Sequence, residues 1–479
     1  MRTKEAEIAR DQEIVELIHQ NTLKILEEIG IAFLSEEALD LLRSNGVKVE
    51  GNRAYFTPEQ VMHALDVAKK EFTVYARNPK YNVHMNTVDL YMTPGYGSPT
   101  VCEADGTLRP AMFDDFLKLA TIVQESEEFS INGGILAQPS DIEAEISAEV
   151  MVYATLCRSD KALFSVCGGK KQAENIMKMM KIIFGEDLTE TPCTFNLISP
   201  LSPLGVTKNT IDTMDVCARN GQPLVIAPGN MAGATGPISV AGNVSEANAE
   251  FLGLNVYAQM VRPGTPIIYG FASTVSDMRN MQASNASPGF VKQAKYGSLL
   301  AKKYGVPCRS GGGMSDANGL TAQAGVESAM SFFESFQERA NLMMHATGSL
   351  HSFNTVSIEK FLLDIETYTR MKYYFDDIPT DEEAMAFDAI KEAIEEENGT
   401  FVTLDHTFDR CRIDPWYSQV AIHKVTKGDP NKALYESIQK RIQKLLDEYE
   451  RPELEEDKRQ ALDELMRGLG MKDEDIART

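Results

Sequence analysis

One repeat restricts what this chain can become. Short apolar runs recur along its middle: LYMTPGYGSP (90–99), FSINGGI (129–135), ALFSVC (162–167), CTFNLIS (193–199), LVIA (224–227), IIYGF (267–271), VPCR (306–309) and NLMMHA (341–346). The last seven start 31 to 43 residues apart, which is the length of one strand–helix unit. Helical patterns fill the intervals, such as AENIMKMMKIIFG (173–185) and AKYGSLLAKKYG (294–305). Runs that are apolar throughout, rather than alternating, fit parallel strands buried on both faces. Three of them share an entry, NGQP (220–223), PGTP (263–266) and YGVP (304–307). Glycine ends the preceding helix, and proline opens the strand where its missing N–H does least harm. Seven or eight such units in a row favour a closed (β/α)8 TIM barrel over an open doubly wound sheet.

The loops give the barrel a polarity. Those leaving the strands are long and rich in Gly, Asn, Ser and Asp: PGYGSP (94–99), PGNMAGATG (228–236), ASTVSDMRNMQASNASPG (272–289) and GGGMSDANGLTAQAG (311–325). Those entering are tight. One decorated face marks a site at the strand C-termini. Residues 1–87 read as an N-terminal helical subdomain. It has a helix over 8–29, a capping box at TPEQ (57–60) and a short strand at FTVYA (72–76). The barrel is expected over 88–366, and a C-terminal helical extension over 367–479. That extension, 367–479, is charged, ends in a strongly polar tail (449–479) and reads as an outer helical appendage able to contact other copies.

Composition excludes several classes. The formal net charge is −23, and no Lys/Arg cluster stands out, which argues against nucleic acid and against an anionic membrane surface. No apolar run approaches the ~18 residues of a membrane span. The N-terminus MRTKEAEIARDQE lacks the apolar stretch of a signal peptide. Seven cysteines, an odd number without C-x-x-C spacing, fit reduced thiols in a cytoplasm.

The strand ends carry the candidate chemistry. No H-E-x-x-H, C-x-x-C or tight Cys/His cluster occurs, so nothing points to a metal, and no phosphate-loop motif is present. NLMMHA is the one run ending in histidine. His345 is therefore either a satisfied core group or a substrate contact, and His351 belongs to the same loop. Arg309 ends the preceding strand and could bind a carboxylate in bidentate fashion or form a structural ion pair. Asn196, Asn230, Ser273 and Asp316 fall at strand ends, where polar residues either serve a site or cap helices. Tyr96, Phe195, Tyr269 and Phe271 lie at or near strand ends. Each alone reads as core, and several around one cavity would form a cage for a cation.

The ordered series of segments resembles one family. IHQNTLKILEEIGIAF (18–33), EEALDLL (36–42), FTVYARNP (72–79), PGYGSP (94–99) and GTLRPAMFDDFLKLA (106–120) come first. NLISPLSPL (196–204), PGNMAGATGPISVAG (228–242), TAQAG (321–325) and the HATGSL to EKFLLDIE segment (345–366) follow, then His406, Thr407, Arg412 and Trp416. Together they are similar to the trimethylamine methyltransferase family, in its non-pyrrolysine branch of quaternary-amine:corrinoid methyltransferases. The resemblance implies a TIM barrel that moves a methyl group from a methylated amine to the Co(I) of a separate corrinoid protein, with no tightly bound cofactor or metal of its own. Archaeal trimethylamine members carry pyrrolysine near the place of Asn354. An ordinary residue there points to a quaternary amine such as glycine betaine, proline betaine or carnitine. On this reading Tyr96 and Phe271 face the methyl groups. Phe195, Asn196 and Asn230 line the substrate site with His351 and Asn354. Asp316 or Glu327 balances the cation. His345, Arg309 or Arg279 grips a carboxylate, with His345 as the residue expected at the reacting end. Gly97, Gly229 and Gly312 give backbone clearance for the corrin, and a homo-oligomer is expected. Alternatives are a trimethylamine-like demethylase, a betaine sensor without turnover, and a carbon–carbon lyase. The lyase would want a Schiff-base lysine at a strand end, whereas Lys161 and Lys303 precede their strands.

Overall fold

Each apolar run of the repeat contains a strand. In order these are β1 (Tyr91–Met92), β2 (Ile131–Gly133), β3 (Ala162–Phe164), β4 (Thr194–Ile198), β5 (Leu224–Ile226), β6 (Ile267–Gly270), β7 (Cys308–Gly311) and β8 (Leu342–Met344). The computed structural model describes residues 3–166, 168–396, 399–423, 425 and 427–479; Cys167, at the end of its apolar run, lies outside them. All eight strands share one sheet, each parallel to its sequence neighbour from β2 to β8, and β8 pairs with β1. The remaining seam is crossed just above the strands, where the Gly97 N–H donates to the Ile135 carbonyl at 2.7 Å. A helix follows every strand: α1 (Phe113–Glu125), α2 (Ser147–Arg158), α3 (Lys170–Phe184), α4 (Lys208–Arg219), α5 (Val240–Val261), α6 (Pro288–Tyr304), α7 (Ala322–Gln337) and α8 (Ile358–Phe375). This is the (β/α)8 architecture expected from the repeat.

The absence of alternation in the strands has a direct cause. Phe195, Val225, Ile268, Leu342 and Met344 fill the barrel, while Leu224, Ile226, Ile267 and Tyr269 pack outward with the helices. Gly305, with φ +67°, ends α6 in the left-handed conformation, and Pro307 then leads into β7.

The flanking segments close the barrel's base and sides. The hairpin Phe72–Val74 with Val83–Met85 adds Phe72, Val74, Val83 and Met85 to the interior cluster. Its neighbours are bonded to residues that enter the strands, Tyr75 N–H to Pro192 C=O and Asn78 N–H to Asp160 C=O, so it plugs the N-terminal end. Helix Lys4–Glu28 lies along α5. That explains why α5 is buried around its whole girth from Asn243 to Gln259. The capping box at Thr57 and Gln60 forms as the sequence indicates. Strand Ile31–Phe33 pairs in parallel with Gly205–Val206, in the loop after β4.

At the other end, α8 continues past residue 366 to Phe375. Helices Pro430–Asp447 and Glu456–Leu469 then return to the body. Leu462 and Met466 are fully buried, in one cluster with residues of α1 and α2. The tail from 449 is thus a packed layer, not an outer appendage; its polar character comes from its outer face. Among the described residues no helix is long and apolar enough to cross a membrane.

Candidate active site

A largely buried cluster of aromatic rings, the aromatic chamber, packs where β7 and β8 end. Arg309 is in register with Leu342 and therefore points into the barrel. His345 follows β8 directly, with φ +52°. Around them runs a column of rings. Phe195 stacks on Phe164 at 5.8 Å, Phe164 meets Tyr96 edge-on at 5.7 Å, and Tyr96 meets His345 edge-on at 6.2 Å. Phe353 stacks on the outer side of His345 at 4.5 Å. Tyr96 fits because position 134 has no side chain: a Cβ on Gly134 would stand 2.6 Å from the tyrosine ring.

The strand ends are held by buried polar bonds. The Ala346 N–H donates to Thr93 C=O at 3.1 Å and the Gly312 N–H to Met344 C=O at 2.8 Å. Behind the loop, Lys360 Nζ donates to Gly313 C=O, Ser328 Oγ and Asp364 Oδ2 at 2.6, 2.9 and 2.6 Å. Asp364 Oδ2 also accepts the Gly348 N–H. The pair is 1% and 2% exposed, so α8 fixes the 345–348 turn through charge shielded from water.

The electrostatics of the chamber are unbalanced. Arg309 is 4% exposed. Its Nη1 donates to Phe271 C=O, and its Nε has no partner. Burial alone pushes its pKa down to about 10, and among the described residues no carboxylate stands beside it. His345 is also buried, and its Nδ1 has no partner. Burial, and then the charge of Arg309, push its pKa down to about 3. It is a neutral imidazole at any physiological pH. The cluster thus holds together a desolvated cation, a neutral ring nitrogen and aromatic faces.

Outside the chamber lies an open cavity of about 550 Å³ whose lining includes Asp316, Glu327, His351, Ser352 and Asn354. The turn between them is strained: His351, Ser352 and Phe353 have φ of 48°, 53° and 72° in succession, a conformation that disfavours any residue with a Cβ by about 1–2 kcal/mol. His351, Ser352 and Asn354 face the cavity while Phe353 covers His345. Asp316 accepts hydrogen bonds from Ser284, Asn285, Ala286 and Ser352, and so ties the loop after β6 to the loop after β8. Glu327 accepts from Ser315, the Asp316 N–H and Gln323. Both carboxylates are committed to their loops and neither enters the chamber.

Several expected site residues lie elsewhere. Phe271 points away from the interior, against α6, where a Cβ on Gly297 would meet its ring at 2.7 Å; it does not face the chamber. Asn196 also points outward and donates to Thr194 C=O and Pro223 C=O. Asn230 donates to Asn243 and accepts from Ser273, inside a network at the start of α5. The Tyr269 hydroxyl donates to Asn248 on α5. Arg279 pairs with Asp277 on the surface, its side chain 89% exposed. Lys161 donates to Val123 and Ser126 carbonyls and Lys303 pairs with Glu16, both at the base. The three glycines expected to give backbone clearance differ in the space beside them. The space beside Gly312 is filled by Ala346, whose Cα is 2.4 Å from a built Cβ. Gly229 faces open space, and Gly97, with φ +101°, serves the seam turn. Phe164, Gly134 and Phe353 escaped the sequence reading. Only Phe353, an aromatic in a polar loop eight residues after His345, left a visible signal. Among the described residues no group of three or more His, Cys, Asp or Glu side chains could hold a metal ion.

Comparison with known proteins agrees with this architecture. The family model for trimethylamine methyltransferase matches residues 2–468. Glycine betaine methyltransferase of Desulfitobacterium hafniense (strain Y51) is 39% identical over 395 residues, 82% of each chain. Proline betaine:corrinoid methyltransferase of Eubacterium limosum is 28% identical, covering 79% of this chain and 80% of its own. Trimethylamine methyltransferase of Methanosarcina barkeri is also 28% identical, covering 78% of this chain and 77% of its own. Among solved structures, the monomethylamine methyltransferase of Methanosarcina barkeri superposes with a TM-score of 0.51 over 90% of this chain and 87% of its own, at 11% identity. At that identity the likeness speaks to the fold alone.

Proposed function

The chain belongs to the trimethylamine methyltransferase family, in its non-pyrrolysine branch, and from that premise we propose that it moves a methyl group from a betaine to the Co(I) of a cognate corrinoid protein. The observation that carries the choice of substrate is Arg309, a buried guanidinium with an unpartnered Nε and, among the described residues, no carboxylate beside it. A desolvated cation of this kind favours an anionic partner. A betaine supplies a carboxylate for Arg309 and a quaternary ammonium for the rings of Tyr96 and Phe164. Trimethylamine, protonated at neutral pH, would bring a second positive charge towards Arg309. At ~4 Å and an effective dielectric of ~20 that repulsion is about 4 kcal/mol. The same pocket without turnover would be a betaine sensor.

The residues suit this chemistry. When the methyl leaves, the C–N electron pair stays on nitrogen and a neutral tertiary amine departs, so no proton has to be supplied. His345, with its pKa near 3, has none to give at neutral pH. Its work is orientation: it forms one wall of the chamber between Tyr96 and Phe353 and offers Nδ1 to the substrate. Reduced corrinoid supplies the nucleophile, and the protein's part is to present the methyl towards the mouth and exclude water. We assign the reaction to the cytoplasm, where the described cysteines, none of them in a disulfide, would stay reduced. We expect the enzyme to act as a homo-oligomer.

The test is to mix the protein with reduced corrinoid protein and individual amines and follow corrinoid methylation by its visible spectrum. Methylation with glycine betaine but not trimethylamine is expected. Methylation by no quaternary amine would leave the sensor.

A further inference from the structure

Backbone strain gathers in the loop after β8. Among the described residues eight non-glycine positions have left-handed φ, and four of them are here: His345 at 52°, His351 at 48°, Ser352 at 53° and Phe353 at 72°. Such positions persist only where their surroundings hold them, and they cluster at ligand clamps and switches. Two of the four carry rings that stack on each other, Phe353 covering the outer side of His345 at 4.5 Å. Arg309 Nε and His345 Nδ1 are both buried and without a partner. With Arg309 4% and His345 8% exposed, no solute touches either atom unless a wall moves. Phe164 and Phe195 are strand residues with 1% and 0% exposure. Tyr96 wedges against Phe164 in the space that Gly134 leaves. Phe353 is only half-buried and stands on the strained turn. On either side of it in sequence, Ser352 and Asn354 line the open cavity of about 550 Å³.

We propose that the turn 351–354 is a gate: it carries Phe353 off His345 into the adjoining cavity, opens the way to Arg309, and recloses over the substrate. The gate rests on the betaine reading of this site and adds how the substrate enters. Two opposing effects set its balance. Closed, the turn gains ring stacking on His345 and a latch, since Ser352 Oγ can donate to Asp316 Oδ1 at 2.5 Å or to Ala283 C=O at 2.9 Å. Open, three side chains leave a conformation in which each Cβ crowds the following carbonyl. Bound betaine favours the closed state, because a guanidinium–carboxylate pair strengthens once water is shut out. Substrate thus draws the gate shut by its higher affinity for one of two states. The latch is shared. Asp316 also accepts from Ser284 Oγ and from the N–H groups of Asn285 and Ala286, so the loop after β6 holds the turn down. Asp316 is accordingly a positioning residue that acts through Ser352. Beyond the latch, Phe353 C=O accepts from Ser98 Oγ at 2.9 Å and Asn354 C=O from Thr100 Oγ1 at 2.6 Å. These two bonds to the loop after β1 mark the hinge.

The test watches the gate and the ligand separately, in the full chain. Phe353 is replaced by 4-fluorophenylalanine and its fluorine signal followed by NMR; glycine betaine binding is followed by calorimetry. Without ligand the fluorine should exchange between two environments, on the microsecond-to-millisecond scale of such lids, and glycine betaine should drive it to one. A reversible lock comes from Ala283→Cys with Ser352→Cys, which replaces two residues already in contact. Oxidised before betaine is added, the lock should hold the fluorine in one environment and weaken apparent betaine binding at least a hundredfold. Reduction of the same sample should restore both. Phe353→Ala should release betaine at least tenfold faster, read by ligand-exchange NMR. A single fluorine environment indifferent to betaine and to the lock, in a protein that binds betaine, would overturn the gate. Undiminished binding by the oxidised lock would overturn it too. A fluorine that exchanges and is stilled by the lock, in a protein that binds no betaine, would keep the gate and overturn the substrate. One environment and no binding would overturn both.

Discussion

Replacing Arg309 with Met should move stability and substrate use in opposite directions. Arg309 is buried, and its pKa falls from 12.5 to about 10 through burial alone. At 1.36 kcal/mol per unit that is about 3 kcal/mol of unfavourable desolvation carried by the substrate-free protein. Met has similar length and no charge, so Arg309→Met removes that penalty. It also removes the hydrogen bond from Nη1 to Phe271 C=O, and leaving that carbonyl unpaired costs about 1 kcal/mol or somewhat more. The substrate-free variant should therefore be more stable by about 1–2 kcal/mol. With betaine the sign reverses. Truncating one partner of a buried charge pair costs about 2–5 kcal/mol, so kcat/KM for glycine betaine should fall roughly 30- to 5,000-fold. The preference for betaine over trimethylamine should shrink with it. Urea unfolding without substrate and initial rates of corrinoid methylation measure the two halves. A destabilised variant would mean that Arg309 has a partner and is structural. An unchanged kcat/KM would mean that the carboxylate binds elsewhere.

Three further perturbations read the same chamber. His345 has a folded pKa near 3 against 6.5 for a free imidazole, so the unfolded chain binds more protons between these values. Stability is then full above about pH 6.5 and declines as pH falls towards 3; His345→Gln should flatten that slope in urea titrations and still lose betaine turnover, and an unaltered acid limb would refute the burial argument. Gly134→Ala places a methyl 2.6 Å from the Tyr96 ring at φ +76°; it should destabilise by about 1–2 kcal/mol and lower kcat/KM at least tenfold, whereas normal kinetics would remove Tyr96 from the substrate wall. Lys360→Met leaves Asp364 buried without its ion partner and should destabilise by about 3–5 kcal/mol, with Lys360→Met/Asp364→Leu recovering much of it in thermal melts.

Part of the chamber was legible along the chain. An apolar run followed by a long polar loop is a local pattern, and it located His345, Arg309 and Tyr96 at the mouth. The unusual loop 351–354 was visible as the place where relatives differ. Its run of left-handed residues was not, since His, Ser and Phe carry no sign of that conformation. Asp316 and Glu327 read as candidate partners for a cation because their hydrogen-bond donors, Ser284 and Ser352 among them, come from loops far away in sequence.

The repeat by itself determined the barrel, its polarity and the order of its strands, because spacing and loop length are properties of consecutive residues. What it left open was which face of each strand looks inward. A strand buried on both sides shows no alternation, and a shift of one residue exchanges inside for outside. Only tertiary structure set that parity. It turned Tyr269 and Phe271 towards α5 and α6, turned Phe195 and Arg309 into the barrel, and left a buried guanidinium with no carboxylate beside it among the described residues.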